Sequence, residues 1–293
     1  MNLRPIFFAT SDEHPELTAD DRLAVAALRD RGFEVAPAVW TRTSPESVDP
    51  GTVVVIRSCW DYHLRTAEFE RWIAGLESRR VRVVNPPGLL GWNLHKRYLR
   101  ELEAGGVPVV PTRWIERPDG ASLAEILEEA GWAEAVVKPA VSLSAYETWR
   151  TSPAQAPAHE ARFAALRRAG GVLVQRFMRE VLTSGEWSLV FFDGAYSHAV
   201  RKLPAPGDFR VQVDHGGTAT PATPPDELVA AAARVVRALP YPPVYVRVDG
   251  VQTAAGFAVM EVECIDPVLH LWALPGAADR FANAITRAAE VPV

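Results

Sequence analysis

The sequence lacks any apolar run long enough to predict a membrane-spanning helix, which needs roughly 20 residues. Its first stretch, MNLRPIFFATSDEH, becomes acidic too soon to predict a secretory signal peptide. Cysteine is equally scarce, since the chain has two, Cys59 and Cys264, which lie far apart. This composition favours a reducing compartment over a disulfide-stabilised fold, and we expect a cytoplasmic protein.

Long basic runs and zinc-type clusters of Cys and His are also missing, which argues against nucleic acid as a partner. We find no internal repeat. The chain has 293 residues, of which 48% are hydrophobic, and a formal net charge of −5. Such a chain is large enough for two or three hydrophobic cores. We therefore expect a globular protein that binds neither a membrane nor nucleic acid, and homo-oligomerisation stays open.

Short apolar runs alternate with helical patterns over the first third of the chain. The run at residues 52–56 is apolar throughout, as is typical of a strand covered on both faces. The alternation predicts a mostly parallel α/β layer. Strands are predicted at 5–9, 33–39, 52–56 and 81–84, and helices at about 20–31 and 66–78.

Polar segments follow two of these strands, at positions where parallel sheets place ligands. One segment, at residues 10–13, contains Asp12, and the other, at residues 57–63, contains Arg57, Ser58 and Asp61. A guanidinium close to a carboxylate could hold a small zwitterion, so these four residues are candidate substrate ligands. The alternative is an ordinary ordered loop in which Arg57 pairs with Asp61.

The middle of the chain contains two lysines in regular elements. Lys96 lies in a predicted helix, and Lys138 lies near the end of a predicted strand. Ser122 and Glu125 form a capping-box pattern that predicts the start of another helix. The predictions here are helices at about 92–104 and 122–130, strands at 135–139 and 171–178, and a loose surface segment at 151–160.

An antiparallel pattern follows. Asp193-Gly194 lies between two strand-like segments and is a strong signal for a two-residue hairpin turn. Regular pairing across this turn sets Glu186 opposite Arg201. The predictions after this hairpin are a strand at 208–213 and helices at about 226–239 and 277–289.

The last predicted hairpin brings charged residues together. A three-residue loop at 254–256 would set Asp249 opposite Glu261 and Arg247 opposite Glu263. Side chains alternate along a strand, so these four groups would share one face. The two strands are predicted at 245–249 and 259–264.

Two interpretations of this charged face stay open. The face is solvated and Arg247 neutralises its carboxylates, or the carboxylates hold a divalent metal such as Mg²⁺ or Mn²⁺. Without metal, repulsion should raise the pKa of at least one carboxyl group. Met260 is expected on the opposite, core-facing side with the valines of the hairpin.

The order of these features resembles the ATP-grasp superfamily, of the glutathione synthetase-like type, over essentially the whole chain. In chain order the matching elements are Lys96, Val107-Pro108-x-x-Pro111-Thr112, Lys138, Gln175, Gly185-Glu186, Arg201-Lys202, Gly207-Asp208-Phe209-Arg210, His215-Gly216-Gly217, and Asp249 with Glu261 and Glu263. Three further segments are most similar to the branch of the O-ureido-D-serine cyclo-ligase of D-cycloserine biosynthesis. They are Ser58-Cys59-Trp60-Asp61-Tyr62, residues 185–189 and residues 197–202.

The resemblance implies an α/β (α+β) ATP-grasp fold with three parts, at residues 1–110, 111–174 and 175–293. The first would bind substrate, and ATP would lie between the other two. It implies a carboxylate–amine ligase that uses ATP to convert a small amino-acid-like substrate to an acyl phosphate. A nitrogen then attacks, with release of ADP and phosphate. Intramolecular ring closure, dipeptide or amide ligation, and a silent nucleotide-binding protein are the alternatives.

The resemblance also implies residue roles. ATP would contact Lys96, Lys138, Gln175, Arg176, Phe177, Met178 and Glu186. Two Mg²⁺ ions would bind Asp249, Glu261 and Glu263. Arg210, Arg247 and Lys202 would act in catalysis by stabilising developing negative charge.

Two positions depart from the family pattern. Glu263 stands where many members have asparagine, so the number of metal ions stays open. The loop at 139–144 lacks the glycines that many relatives place over the phosphates.

Overall fold

The computed structural model describes residues 5–116 and 120–290, which three β-sheets organise. The first sheet is the predicted parallel layer, with strand order β2-β1-β3-β4. Its elements are β1 (Ile6–Thr10), α1 (Ala19–Arg29), β2 (Val35–Val39), β3 (Val53–Ser58), α2 (Thr66–Ser78) and β4 (Arg82–Val84). Every residue of β3 is buried, as its apolar run predicted.

Helix α1 starts close to the carboxyl ends of these strands. Thr18 caps it by accepting the N–H of Asp21 at 3.1 Å. Asp20 and Asp21 lie in the first turn, where a negative charge interacts favourably with the helix dipole. The cap thereby fixes two buried carboxylates at the end of the sheet where parallel strands place ligands.

The helix predicted at 92–104 is broken, and that prediction is wrong. The structure has two helices, α3 (Pro87–Asn93) and α4 (Tyr98–Ala104), with Lys96 between them. The Lys96 N–H donates to the Ala140 carbonyl at 2.8 Å instead of to a carbonyl one turn back. The break therefore ties Lys96 to the segment that follows Lys138.

The second sheet is antiparallel, with order β5-β8-β6-β7. Its elements are β5 (Thr112–Ile115), α5 (Leu123–Ala130), β6 (Ala135–Pro139), β7 (Trp149–Thr151), α6 (Ala156–Ala169) and β8 (Val172–Arg176). The capping box of Ser122 and Glu125 is confirmed. The loose segment predicted at 151–160 is wrong, because Pro157 lies in the first turn of α6, a position that proline favours.

The third sheet is antiparallel with order β11-β10-β9-β12-β13. Its region comprises α7 (Glu180–Thr183), β9 (Glu186–Phe192), β10 (Ala195–Leu203), β11 (Thr218–Pro221), α8 (Asp226–Arg237), β12 (Tyr245–Thr253), β13 (Gly256–Glu263) and α9 (Ala277–Glu290). The two-residue turn at Asp193-Gly194 is confirmed, with φ of 48° and 76°. Both conformations are left-handed, as this turn type requires.

The predicted pairing of Glu186 with Arg201 is wrong. A bulge between Tyr196 and His198 shifts the register by one residue, so Lys202 lies opposite Glu186. A bulge inserts one unpaired residue and sends every following side chain to the other face. The shift therefore turns Lys202, rather than Arg201, toward the partner carboxylate.

The register of the last hairpin is confirmed, although the loop is shorter than predicted. Thr253 pairs directly with Gly256, which leaves a two-residue turn. A register shift after Asp249 then inserts Met260 and sets Asp249 opposite Glu261. The predicted core position of Met260 is confirmed only in part, because this extra residue packs against a small hydrophobic cluster and also lines the cavity described below.

Residues 208–213 do not form the predicted strand. The Asp208 carboxylate accepts the backbone N–H groups of Phe209 and Arg210, at 2.6 and 3.0 Å. A side chain that binds its own backbone in this way competes with strand pairing. The segment is an irregular loop that ends in a short turn at Val213–His215.

Helix α9 packs onto the N-terminal layer and joins it to the third sheet. Phe281 is fully buried, with its ring stacked on Phe192 at 5.2 Å and edge-on to Tyr245 at 5.5 Å. Over the ranges that the structure describes, no helix is both long and apolar enough to cross a bilayer. The division at residues 110 and 174 stays a prediction.

Candidate active site

All three lysines of the chain lie in one cavity. The cavity has a volume of about 310 Å³, and the sheets of β5–β8 and β9–β13 both contribute to its walls. Its lining includes the residues to which the sequence assigned ATP, metal or catalysis. These are Lys96, Lys138, Gln175, Arg176, Phe177, Met178, Glu186, Lys202, Arg210, Arg247, Asp249, Glu261 and Glu263.

Two of the lysines are neutralised by carboxylates. Lys96 Nζ lies 2.8 Å from Glu261 Oε1 and donates to the Ser142 carbonyl at 2.6 Å. Lys202 Nζ lies 3.1 Å from Glu186 and 3.7 Å from Asp249. Both lysines are largely buried, and each ammonium group has a carboxylate partner that compensates for the loss of water.

Lys138 differs from the other two lysines. It is 8% exposed, and its Nζ makes no hydrogen bond or ion pair within residues 5–116 and 120–290. Burial lowers the pKa of Lys138, and the nearby Lys96 charge lowers it further, while Glu261 and Glu186 oppose the shift. A buried cation without a partner costs free energy, so this site favours an anionic ligand.

The charged face of the last hairpin is only partly exposed, because Arg247 is 6% and Asp249 3% exposed, while Glu261 and Glu263 are half-buried. The expected neutralisation by Arg247 is confirmed, but the face is not solvated throughout. The Arg247 guanidinium donates to both oxygens of Asp249 at 2.8–3.0 Å and also to Glu263. Its Nη1 donates to the Val268 carbonyl at 2.9 Å. Arg247 thus fixes two carboxylates and the segment after the hairpin.

Burial and like charge affect the three carboxyl groups differently. Burial raises the pKa of Glu263 to about 7, and repulsion from Asp249 and Glu261 adds to this, against the attraction of Arg247. Arg247 and Lys202 overcome the effect of burial at Asp249 and hold its pKa below the ordinary value. The predicted rise at one carboxyl group is confirmed, with burial as its main cause.

In the structure the carboxylates of Asp249, Glu261 and Glu263 contact lysine and arginine side chains. In the described part of the chain, no three or more His, Cys, Asp or Glu side chains are gathered as a metal site. Glu261 instead contacts Lys96, and Asp249 and Glu263 contact Arg247. Their oxygens are nevertheless the hard donors that Mg²⁺ prefers.

The segment after β8 forms one end of the cavity. Gln175 Nε2 donates to Thr112 Oγ1 at 3.0 Å, which holds the end of β8 against β5. The Phe177 N–H donates to the Glu134 carbonyl at 3.0 Å, and the Arg150 guanidinium lies 4.1 Å from the Phe177 ring centroid. This end is the more apolar part of the lining, with Val136, Met178 and Val181 nearby.

The glycine-poor loop after Lys138 contains residues in the left-handed conformation, which glycine adopts more readily than other residues. Ser144 and Ala145 have φ of 47° and 57°, in the left-handed region. His215 approaches the Ser144 carbonyl at 3.3 Å, and the His63 and Tyr146 rings meet at 5.0 Å. The loop therefore contacts both flanking segments over the cavity.

Arg210 is held beside the cavity by its neighbour Asp208. Its Nη2 donates to Asp208 Oδ2 at 2.7 Å, and its Nε lies 3.1 Å from Oδ1. The bond from Arg210 keeps the pKa of Asp208 below its ordinary value. Arg210 is therefore a charged residue of the loop at 208–213, and it contributes to the lining of the cavity.

The predicted substrate residues do not line this cavity. Arg57 is 2% exposed and pairs with Asp21 rather than with Asp61, so the predicted alternative of an Arg57–Asp61 pair is wrong. Ser58 donates to the same Asp21 carboxylate at 2.6 Å. Asp61 accepts the Trp40 indole N–H at 2.7 Å.

Asp12, the fourth predicted substrate residue, lies at the surface. It accepts from Thr41 at 2.8 Å and pairs with Arg42. The substrate role of all four residues stays a prediction, and in the structure their polar groups bind other parts of the protein.

Trp60 and His270 line the cavity, and neither was assigned a role from the sequence. Trp60 lies within the segment that was singled out as polar, so its position in the chain was the available signal. His270 follows the last hairpin in a stretch without a recognisable pattern, and only the fold brings it to the site.

The comparisons with known proteins agree with this geometry. Residues 6–85 match the family described as the N-terminal domain of D-cycloserine synthetase DcsG. The chain is 36% identical over 249 residues to the cycloserine biosynthesis protein DcsG of Streptomyces lavendulae, covering 79% of this chain and 81% of that protein. The crystal structure of D-cycloserine synthetase DcsG has a TM-score of 0.86 and 30% identity, over 97% of this chain and 99% of the other.

More distant solved structures share the fold. A D-alanine–D-alanine ligase from Bacillus anthracis gives a TM-score of 0.69 at 15% identity, over 97% of both chains. The ATP-grasp ligase PsnB gives 0.65 at 17% identity, over 98% of this chain and 100% of the other. The chain therefore belongs to the D-cycloserine synthetase family and is an ATP-grasp, ATP-dependent ligase.

Proposed function

We propose that this enzyme closes the ring of D-cycloserine, or of a close analogue, on an O-ureido-D-serine-like substrate. The observation that carries the proposal is the placement of all three lysines in one buried cavity with Arg247 and three carboxylates. Cations so concentrated suit the phosphates of ATP, and the similarity to DcsG supplies the substrate class.

ATP would lie with its base at the apolar end, near Phe177 and Met178. Glu186 would accept from the ribose hydroxyls, and Gln175 would hold the strand end that faces the base. Lys138 would bind a phosphate oxygen, because its ammonium group has no partner among the described residues. Lys96 and Lys202 would shift from carboxylates to phosphates as the nucleotide binds.

Asp249, Glu261 and Glu263 would hold Mg²⁺. Their donor chemistry fits the ion, and they lie side by side on the hairpin face. Bound Mg²⁺ would neutralise phosphate charge during transfer. The raised pKa of Glu263 also fits, because a carboxyl group that repels its neighbours gains from an added cation.

The proposed reaction has two steps, and the lysines and arginines of the cavity would stabilise the negative charge that develops in each. The substrate carboxylate attacks the γ-phosphate of ATP and becomes an acyl phosphate, with ADP as leaving group. The nitrogen bonded to the side-chain oxygen attacks the acyl carbon, the C–N bond forms, and phosphate departs. Arg247 and Arg210 would stabilise the oxyanion of that step. Hydrolysis of the carbamoyl group would complete D-cycloserine.

The test is the set of products formed from ATP, Mg²⁺ and O-ureido-D-serine. We expect ADP, phosphate and a ring compound in equal amounts without any added amine. AMP with pyrophosphate would contradict acyl-phosphate chemistry. Product that appears only after an amino acid is added would favour a dipeptide ligase, and tight ATP binding without ADP formation would favour a silent nucleotide-binding protein.

A further inference from the structure

The segment Asp266–Leu271, called the strap below, follows β13 and passes along the cavity. Val268 and His270 of the strap contribute to the cavity lining, together with Trp60 from the N-terminal layer. The strap therefore separates the parallel layer from the charged hairpin face. Its side chains are placed where an amino-acid-like substrate would meet Arg247.

Hydrogen bonds from several parts of the fold hold the strap backbone. The donors to its carbonyl groups are Trp60 Nε1 to Asp266 at 3.0 Å, Arg57 Nη2 to Pro267 at 2.8 Å, and Arg247 Nη1 to Val268 at 2.9 Å. The Asp20 carboxylate accepts the N–H of Leu271 at 2.6 Å and that of Leu269 at 3.2 Å. The strap is thus fixed on both sides of His270.

His270 has an unfavourable backbone conformation. Its φ of 51° and ψ of 43° are left-handed, a conformation that is unfavourable for a residue other than glycine. Strain of this kind persists only where the surroundings impose it, and it concentrates at functional sites. The bonds to Leu269 and Leu271 impose it here.

The His270 side chain carries a second unfavourable feature. It is 6% exposed, and its Nε2 has no hydrogen-bond partner among the described residues. Leaving such a buried polar atom unpaired is unfavourable, because the atom has lost its hydrogen bonds to water. Both features occur at a residue that lines the cavity, so His270 Nε2 is available to a ligand there.

Charged groups surround this imidazole on several elements. Arg247 and Asp249 face it from β12, Lys202 and His198 face it from β10, and the Trp272 ring lies edge-on at 6.0 Å. Burial lowers the pKa of His270 well below its ordinary value, and Arg247 and Lys202 lower it further. The imidazole is therefore neutral at physiological pH and has a lone pair available.

We propose that His270 receives the proton of the attacking nitrogen as the C–N bond forms. In that step the nitrogen lone pair attacks the acyl carbon, and the C–O bond to phosphate breaks with its electron pair on phosphate. The N–H proton passes to His270 Nε2 and is later released to solvent. A base in this position accelerates a reaction by about 10²–10⁴-fold.

This inference rests on the proposed function, and one assay separates the two. Hydroxylamine is neutral and strongly nucleophilic at pH 7.5, so it attacks an acyl phosphate without help from a base and gives a hydroxamate. The experiment measures hydroxamate and ring product for the wild type and for His270→Asn, with ATP, Mg²⁺ and O-ureido-D-serine. Asparagine tolerates the left-handed conformation, so the variant should fold.

We expect His270→Asn to form hydroxamate within about threefold of the wild type and ring product at least about 100-fold more slowly. Equal loss of both, or no loss of ring product, would overturn the role of His270. His270→Gln repeats the test with a longer side chain, and if neither variant melts cooperatively the residue is structural and the proposal fails. Absence of both products in the wild type would instead reject the proposed function.

His159→Asn is the matched control. His159 lies on α6, where its ring bonds to Thr151 Oγ1 at 2.9 Å, and it does not line the cavity. The control should give wild-type amounts of hydroxamate and ring product. A control that loses ring product as His270→Asn does would show that the assay reports general damage, which would overturn the assignment.

Discussion

Arg57 and Asp21 form an ion pair inside the protein, with Nε 2.8 Å from Oδ1 and both side chains 2% exposed. Arg57 also lies 5.4 Å from the ring centroids of Tyr245 and Phe281. It thereby connects β3, helix α1 and the packing of α9. Substitution of Arg57 is therefore expected to lower the stability of the fold, rather than only the affinity for substrate.

Arg57→Ala should lower the free energy of unfolding by about 3–5 kcal/mol, because it leaves Asp21 buried without its partner. Denaturant unfolding measures this loss. Arg65→Ala is the control, since its pair with Glu68 is exposed and worth at most about 1 kcal/mol. If Arg57→Ala unfolds like the wild type but its KM for substrate rises, the substrate role predicted from the sequence stands.

Lys138→Ala should weaken ATP binding by about 10- to 100-fold, the range expected when a charged hydrogen bond is lost. The melting temperature should not fall, because burial already disfavours the charged form of this lysine. Calorimetric titration with ATP and Mg²⁺ measures the affinity, and Lys138→Met separates charge from side-chain volume. Unchanged affinity in folded Lys138→Ala would remove this residue from the site.

Glu261→Gln should abolish Mg²⁺-dependent turnover while the protein stays folded. The amide loses the charge attraction to Lys96 and Lys138, but it still accepts a hydrogen bond from Lys96 and no longer repels Asp249, which offsets part of that loss. ADP release across a Mg²⁺ titration, set beside thermal melts without nucleotide, measures both. Near-normal turnover at low Mg²⁺ would contradict the metal role.

The control for that experiment is Glu103→Gln on the exposed side of α4. It removes the same charge at a distance from the cavity. We expect both its turnover and its melting temperature to match the wild type.

Asp266→Asn should stabilise the protein more as pH rises. Burial, and then the charge on Glu263, raise the pKa of Asp266 well above its ordinary value. The folded state keeps this proton while the unfolded chain loses it above pH about 4, so the stability contribution falls as pH increases. Denaturant unfolding at pH 4.5 and pH 8 should therefore show a larger gain from Asp266→Asn at pH 8.

Asp30→Asn, at the exposed end of α1, is the comparison for Asp266→Asn. Its effect should be small at both pH values. An Asp266→Asn effect that is the same at pH 4.5 and pH 8 would show that the carboxyl group titrates normally in the folded state.

Periodicity predicted the parallel layer, and the family resemblance, which rests on the order of motifs, implied the ATP-grasp fold and most of the charged residues that line the cavity. Sequence patterns failed where one inserted residue changes a register. The bulge at Tyr196–His198 exchanged Arg201 for Lys202 opposite Glu186. The bulge at Met260 and a shorter turn compensated for each other, so the predicted pairing of Asp249 with Glu261 was correct for a different reason.

Long-range contacts were beyond the reach of local patterns. Arg57 was matched with Asp61, four residues away, whereas its partner Asp21 lies on α1 and is brought close only by packing. His270 was missed for the same reason, because its backbone conformation depends on hydrogen bonds from Leu269 and Leu271 to Asp20 at the start of α1. Charge and spacing identify which groups need partners, and the fold decides which partners they have.

Because every lysine of the chain lines one cavity, the rate at which a reagent modifies these amines reports how accessible that cavity is. Apart from the α-amino group, the chain offers an amine-specific reagent only Lys96, Lys138 and Lys202, each at most 8% exposed. Acylation or reductive methylation can therefore proceed only as fast as the cleft opens to admit the reagent. The mass of the labelled protein over time would measure opening of the cavity without any engineered probe, and protection by nucleotide would measure its occupancy in the same experiment.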